Sequence, residues 1–278
     1  MKKILLFIVL LSVVTSHAQN KVSCTFDINR SMAITEENYL KTDSMLWDEY
    51  YKRSKSLYAR MDENPGEKDS LMKVADALYE SVSQANIDLA KRFASVPSGI
   101  HRLFMVRDLC PKDTLNMILA SLPDDVKTSY YGRILRKYID TEQVCEGDTM
   151  SSFECVTNEG VAFDWHTLEG KRILLIYEGL SCMGGGTFDE LVRLYERKAS
   201  DNFEVLVYCD CSSLDDLKKR KDEYPSPFPF ISDFMGEESP IRIKYGTQVR
   251  PTCFLIGADR IVMMKSEGLD IPSVEKYL

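Results

Sequence analysis

Cys182 lies just beyond the apolar run Ile173-Leu174-Leu175-Ile176-Tyr177, in the segment Ser181-Cys182-Met183-Gly184-Gly185-Gly186. Further along, Val249-Arg250-Pro251-Thr252-Cys253-Phe254 opens a second apolar run. Open α/β sheets place their sites at the carboxyl ends of buried strands. A cysteine delivered there points to thiol–disulfide exchange, in which a thiolate attacks a disulfide sulfur and a second thiol releases the mixed disulfide. The chemistry needs an exposed thiol, a means of lowering its pKa, and that second thiol. Cys182 is the candidate nucleophile, with Pro251 and Thr252 as candidate substrate-binding residues. Where a C-x-x-C motif would supply the second cysteine, the chain has Gly185.

Two arrangements are open for tuning Cys182. Thr187-x-x-Glu190 matches a capping box, and the glycine run before it disfavours helix. With Thr187 as N-cap, the positive helix end falls several residues beyond the thiol. The other arrangement turns the glycine N–H groups inward as an anion-binding nest. For the missing second thiol, Cys209 and Cys211 are the candidates. They follow the apolar run 203–208, expected to be a parallel strand beside 173–177, and so emerge at the same sheet edge. A bond from Cys182 to either needs Cα atoms about 4.4–6.8 Å apart. The competing reading makes Cys209 a buried strand residue and Cys211 a free loop thiol. Cys253 and Cys155 read as core, while Cys145 with Cys155 and Cys24 with Cys110 are further conceivable pairs. A soft-metal set of Cys182, Cys209 and Cys211 would call on histidine, and only His101 and His166 follow residue 18. No metal and no cofactor is expected.

The start of the chain reads as an export leader over 1–18: Lys2 and Lys3, an apolar stretch 4–14, then Ser16-His17-Ala18 as a small-x-small cleavage site. That stretch is too short for a stable membrane span. The expectation is an exported, periplasmic protein. Val22-Ser23-Cys24 offers lipid attachment at Cys24 as an alternative, with Lys21 standing where an apolar residue is preferred. All eight cysteines follow the leader, in a compartment that permits disulfides, yet the number is small for a disulfide scaffold. An apolar fraction of 44% is that of a globular protein. A net charge of -8 without a basic stripe argues against nucleic acid as a partner. Protein thiols or disulfides, or a partner peptide, are the expected partners.

The elements that must position these residues fall into two halves. Over 19–143 the periodicity is helical. Met45, Leu46, Tyr50, Leu57, Tyr58 and Met61 recur at helical spacing, and Asn64-Pro65-Gly66 interrupts them. A second stripe carries Leu71, Val74, Leu78, Tyr79, Val82, Leu89 and Phe93. Segments near 100–109 and 114–122 and a last helix after Pro123 complete a bundle of roughly five helices. The stripes read as core, and the alternating stretch 21–30 as one short strand. From Cys145 onward, over 144–278, the grammar changes. A hairpin over 153–163 leads to strand 173–177, helix 188–198, strand 203–208 and helix 214–221. A proline-rich turn, a short helix at 239–245 and two antiparallel strands, 251–256 and 260–265, follow. The fold class is α/β, a mixed central sheet with helices on both faces, preceded by an all-α domain.

At these residues the half 144–278 resembles the exported thioredoxin-like proteins of the TlpA/ResA type. The matching pieces are Gly147-Asp148 with Phe153, Gly170-Lys171, Leu194-Tyr195, Phe203-Glu204-Val205, Tyr245-Gly246 and Pro251-Thr252-x-Phe254-Leu255-Ile256. The resemblance implies a thioredoxin-like fold, with Pro251 as a cis-proline facing the thiol, and thiol–disulfide oxidoreductase activity. The helical half, ending in Ser129-Tyr130-Tyr131-Gly132 and Tyr138-Ile139, is similar to the module that precedes such domains in exported bacterial proteins. The chain departs from the family's pattern at Ser181 (tryptophan), at Gly185 (cysteine) and in the missing first-turn glutamate. A non-catalytic module that binds a partner peptide in the same groove is therefore the alternative.

Overall fold

The computed structural model describes residues 25, 26, 28, 29, 31–183, 185–199 and 202–278. The leader over 1–18 and Cys24, with its conceivable bond to Cys110, lie outside them. The chain forms two compact units, one built on 41–86 and the described residues up to Ser31, the other on 32–40 and 87–278.

Helices α1 (Glu36–Glu63) and α2 (Lys68–Arg92) are joined where Pro65, with φ fixed and no N–H to donate, opens a 3-10 turn. In the first unit Leu57, Met61, Leu71 and Leu78 are buried together, as are Leu46, Val82 and Ala85. Met45, Tyr58 and Tyr79, expected in the core, are exposed at 62%, 51% and 59%. A helix pair buries one stripe per helix, narrower than the apolar set written on these two. Thr25, Phe26, Ile28 and Asn29 are not strand. Phe26 instead packs on both clusters, with the Arg53 guanidinium 4.7 Å above its ring.

The second unit continues with α3 (Pro97–Met105), α4 (Lys112–Ser121), α5 (Asp124–Thr128) and α6 (Tyr130–Asp140). The single helix expected after Pro123 is divided at Ser129. Its extended backbone stops α5, and its Oγ accepts the Gly132 N–H at 3.2 Å to cap α6. The sheet follows, from β1 (Val156–Thr157), β2 (Arg172–Tyr177), β3 (Phe203–Tyr208), β4 (Phe230–Ser232), β5 (Thr252–Ile256) and β6 (Val262–Glu267). Its order is β1-β4-β3-β2-β5-β6, with β2, β3 and β4 parallel and the remaining pairs antiparallel. Helices α7 (Gly185–Lys198), α8 (Leu214–Glu223), α9 (Pro240–Ile243) and α10 (Ile271–Glu275) complete it.

Because successive strand residues point to opposite faces, the apolar strands feed two layers. Leu174, Ile176, Val205, Val207, Cys253 and Leu255 join Leu191, Leu194, Leu217 and Val274 of the helices. Ile173, Leu175, Tyr177, Leu206, Tyr208, Phe254 and Ile256 join Trp165 and Tyr245 on the other face. This mixed, two-faced sheet is thioredoxin-like, and helices precede it in the chain. Strand β4 has no counterpart in the sequence reading, since three residues directly after the proline-rich turn carry too little alternation to register. The hairpin over 153–163 shrinks to a bridge between Val156 and Ala162, with β1 drawn into the sheet beside β4. Among the described residues, no helix is long and apolar enough to cross a membrane.

Candidate functional site

Tyr177, the last residue of β2, pairs with Tyr208 of β3 on one side and Thr252 of β5 on the other. The carboxyl ends of β2 and β3 and the start of β5 therefore share one sheet edge. Beyond it Glu178 (φ 52) and Gly179 (φ 79) both take left-handed backbone, a conformation an L residue such as Glu adopts only when its surroundings hold it. A 3-10 turn over Leu180–Cys182 follows, in which the Cys182 N–H donates to the Gly179 carbonyl at 2.9 Å. Leu180 and Met183 are buried in the sheet layer, and Cys182 between them is exposed. Helix α7 starts at Gly185, so Thr187 lies inside it rather than at its N-cap. Glycine costs a helix only about 1 kcal/mol relative to alanine, and the helix therefore begins nearer the thiol than the capping box suggested.

The Arg250–Pro251 peptide is cis. Gly179 lies so close to it that a Cβ there would come within 2.3 Å of the Pro251 nitrogen. The loop that carries Cys182 thus rests on Pro251 through a residue that must lack a side chain. Thr252 is buried in the ladder between Tyr177 and Glu267, and its Oγ1 donates to the Val249 carbonyl at 2.6 Å. The Pro251 carbonyl accepts the Gly268 N–H at 2.8 Å.

Cys209 and Cys211 are buried in the same layer as Leu180 and Met183, Cys209 almost completely. All seven described cysteines are free thiols, so Cys145 and Cys155 are not bonded: Cys145 is exposed while Cys155 is buried in the core. Burial pushes the thiols of Cys155 and Cys253 up to about 12. Brief alkylation of the native protein at pH 8 is therefore expected to label Cys182 and Cys145 first. Cys110, Cys155 and Cys253 should label only after unfolding, as read by peptide mass. His101 stacks on Tyr131 at 4.2 Å, and His166 pairs with Glu169 at 2.8 Å. Among the described residues, no group of three His, Cys, Asp or Glu side chains is placed to hold a metal.

Around this edge lies a polar network that the sequence reading missed. The Glu178 carboxylate accepts the Asp210 N–H at 2.5 Å. Arg250 donates to Asp210 at 3.0 Å and to the Tyr177 hydroxyl at 3.5 Å. Burial raises the Asp210 carboxyl, against the pull of Arg250. Deeper in, buried Arg242 pairs with Glu237 and donates to the Tyr177 hydroxyl at 3.0 Å. Fully buried Arg107 reaches across from the helical segment and donates to Gln248 Oε1 at 2.6 Å and the Thr247 carbonyl at 3.0 Å. The one hint available in sequence was a Glu ending an apolar strand and an Arg standing before the proline.

No protein-family model matches the chain, and no curated protein matches it. Among solved structures it is similar to a thiol-disulfide oxidoreductase from Bacteroides fragilis, at 15% identity over 47% of this chain and 100% of that one, with a TM-score of 0.42. The thioredoxin domain of a Bacteroides vulgatus thiol-disulfide oxidoreductase matches at 16% identity over 49% of this chain and 99% of its own, TM-score 0.42. A thiol peroxidase from Chromobacterium violaceum matches at 15% identity over 49% and 87% of the two chains, TM-score 0.40.

Proposed function

We propose that this is an exported thiol–disulfide oxidoreductase of the TlpA/ResA type, with Cys182 as nucleophile. The observation that carries the reading is the exposed Cys182 thiol on a loop seated, through Gly179, against Pro251. The Cys182 thiolate attacks a disulfide in a protein held along Pro251 and Thr252, expelling one substrate sulfur as thiolate. A second thiol then attacks the mixed disulfide and frees the remaining substrate sulfur. With glycine at 185, that thiol is external or comes from Cys209 or Cys211. The leader over 1–18 would take the protein to the periplasm, with the helical segment 19–143 ahead of the redox domain 144–278.

The test is turnover of a fluorogenic glutathione disulfide by the wild type and by Cys182→Ser. The wild type should turn it over and the variant should fall to the uncatalysed rate. A second reading is favoured by Gly185, which leaves the motif without its resolving sulfur. In that reading the groove at Cys182 and Pro251 holds a partner peptide without exchange. A wild type with no turnover that captures its partner as well as Cys182→Ser does would establish this second reading and remove the first.

A further inference from the structure

We propose that Cys209-Asp210-Cys211 is a second redox site, a C-x-C dithiol that closes into its own disulfide when it meets a small disulfide oxidant. The proposal does not depend on Cys182. The Cys211 N–H donates to the Cys209 carbonyl at 2.9 Å, closing a three-residue turn around Asp210. A turn this tight brings the flanking Cα atoms toward the separation of about 4.4–6.8 Å that a disulfide spans. Both side chains enter the same apolar layer.

The turn is also fixed from three directions. The Cys209 N–H donates to Ile231 at 2.9 Å, the Asp210 N–H to Glu178 at 2.5 Å, and Arg250 holds the Asp210 carboxylate at 3.0 Å. Little chain freedom remains to be lost on closing the ring. Access comes through Cys211, which lines an open recess of about 380 Å³ together with Asp210, Ser212, Asp216, Lys219, Arg220 and Glu223. Three carboxylates and two cations share this lining, so charge does not select the oxidant, and glutathione disulfide serves as the probe.

The two sulfurs are unequal. The neighbouring Cys209 thiol lowers the Cys211 thiol, while Cys211 in turn, then burial, then the Glu178 charge raise Cys209. Cys211 is accordingly the attacking thiolate. Its sulfur bonds to one sulfur of the oxidant and expels the other as thiolate. Cys209 then gives up its proton and attacks Cys211 Sγ, expelling the second thiolate. The balance is two protein thiols and one disulfide going to one protein disulfide and two small thiols. Two electrons pass to the oxidant.

The test uses the full chain carrying Cys182→Ser, equilibrated across a glutathione redox series, trapped by alkylation and digested with trypsin. One peptide, 199–218, holds both cysteines. On oxidation both labels should vanish together, leaving a peptide lighter by about 2 Da, two hydrogens. In Cys182→Ser with Cys211→Ser, Cys209 should keep its label across the series. Three results would each overturn the proposal. They are both labels persisting throughout, a single glutathione staying on one cysteine beside a free neighbour, and wild-type protein joining 199–218 to the Cys182 peptide instead. Because Cys182 is absent from the main arm, loss of turnover at Cys182 leaves this result untouched, and the reverse holds too.

Discussion

Arg107→Met is expected to lower the stability of the second unit by about 2–3 kcal/mol, despite keeping an unbranched apolar stem of similar length. Arg107 is 0% exposed and donates to Phe104 O at 2.8 Å, Gln248 Oε1 at 2.6 Å, Thr247 O at 3.0 Å and Arg242 O at 3.1 Å. Among the described residues no carboxylate pairs with it directly, and burial followed by the nearby Arg242 charge lowers its pKa to about 10. It stays protonated at neutral pH. Two effects oppose each other in the substitution. Removing the cation relieves its desolvation cost, which alone can make such a replacement neutral or stabilising. Against that, each buried polar group left without a partner costs about 1–3 kcal/mol. Thr247 O keeps a donor in Arg242 at 3.2 Å and Phe104 O keeps the Val106 N–H. The Arg242 carbonyl and the Gln248 amide oxygen lose the donor that Arg107 gives them. Those two losses, and the guanidinium stack 4.0 Å over Phe104, outweigh the relief.

Arg107→Lys should lose about half as much, since one ammonium cannot reproduce a planar fork spread over four acceptors. Urea unfolding followed by Trp165 fluorescence, in a Trp47→Phe background, reads this unit directly. A midpoint for Arg107→Met at or above that of the wild type would sink the prediction. The consequence reaches the site as well, because Thr247 and Gln248 lead straight into Arg250 and Pro251. Exchange by Arg107→Met should fall even at temperatures where the protein is folded.

The strands of the thioredoxin-like half were legible because each fully buried strand writes a continuous apolar run: 173–177 and 203–208 differ from β2 and β3 by at most one residue. The cis peptide at Pro251 and the exposed loop position of Cys182 were legible from the ends of such runs and from the family resemblance. What stayed hidden depends on residues far apart in the chain. Arg107 meets Gln248 across more than half of the protein's second unit, and no local pattern marks a buried arginine. Glu178 and Asp210 carry no local mark, and only the β2–β3 register places them together. The start of α7 was misplaced because the capping box at Thr187 was weighed on local propensity alone. The outward tyrosines of α1 and α2 show the converse error, in which apolar spacing promised more burial than a pair of helices can give.

Gly179→Ala should be the most damaging small substitution at the site. Its φ of 79 puts alanine in a left-handed conformation, which costs an L residue roughly 1–2 kcal/mol. The new Cβ would also lie 2.3 Å from the Pro251 nitrogen and 2.7 Å from the Arg250 carbonyl carbon. These are backbone atoms of a segment held by the β5 ladder and by Gly268, and they cannot swing aside as a flexible side chain would. Relief requires the Cys182 loop to lift away from Pro251. With Glu178 already left-handed at φ 52, the loop has no relaxed neighbour to absorb the shift. The total expected loss is about 3 kcal/mol or more, of the order found when a core is overpacked, and exchange should fall close to that of Cys182→Ser.

Gly186→Ala is the internal control. Its Cβ would meet nothing within 4 Å, and alanine in a helix gains about 0.5–1 kcal/mol over glycine. It should therefore stabilise α7 slightly and leave exchange intact. The contrast between two Gly→Ala changes on either side of Cys182 separates contact with Pro251 from any general sensitivity of the loop. If Gly179→Ala melts and turns over like Gly186→Ala, the thiol loop does not lean on Pro251, and the reading of Cys182 as a nucleophile facing that proline loses its support.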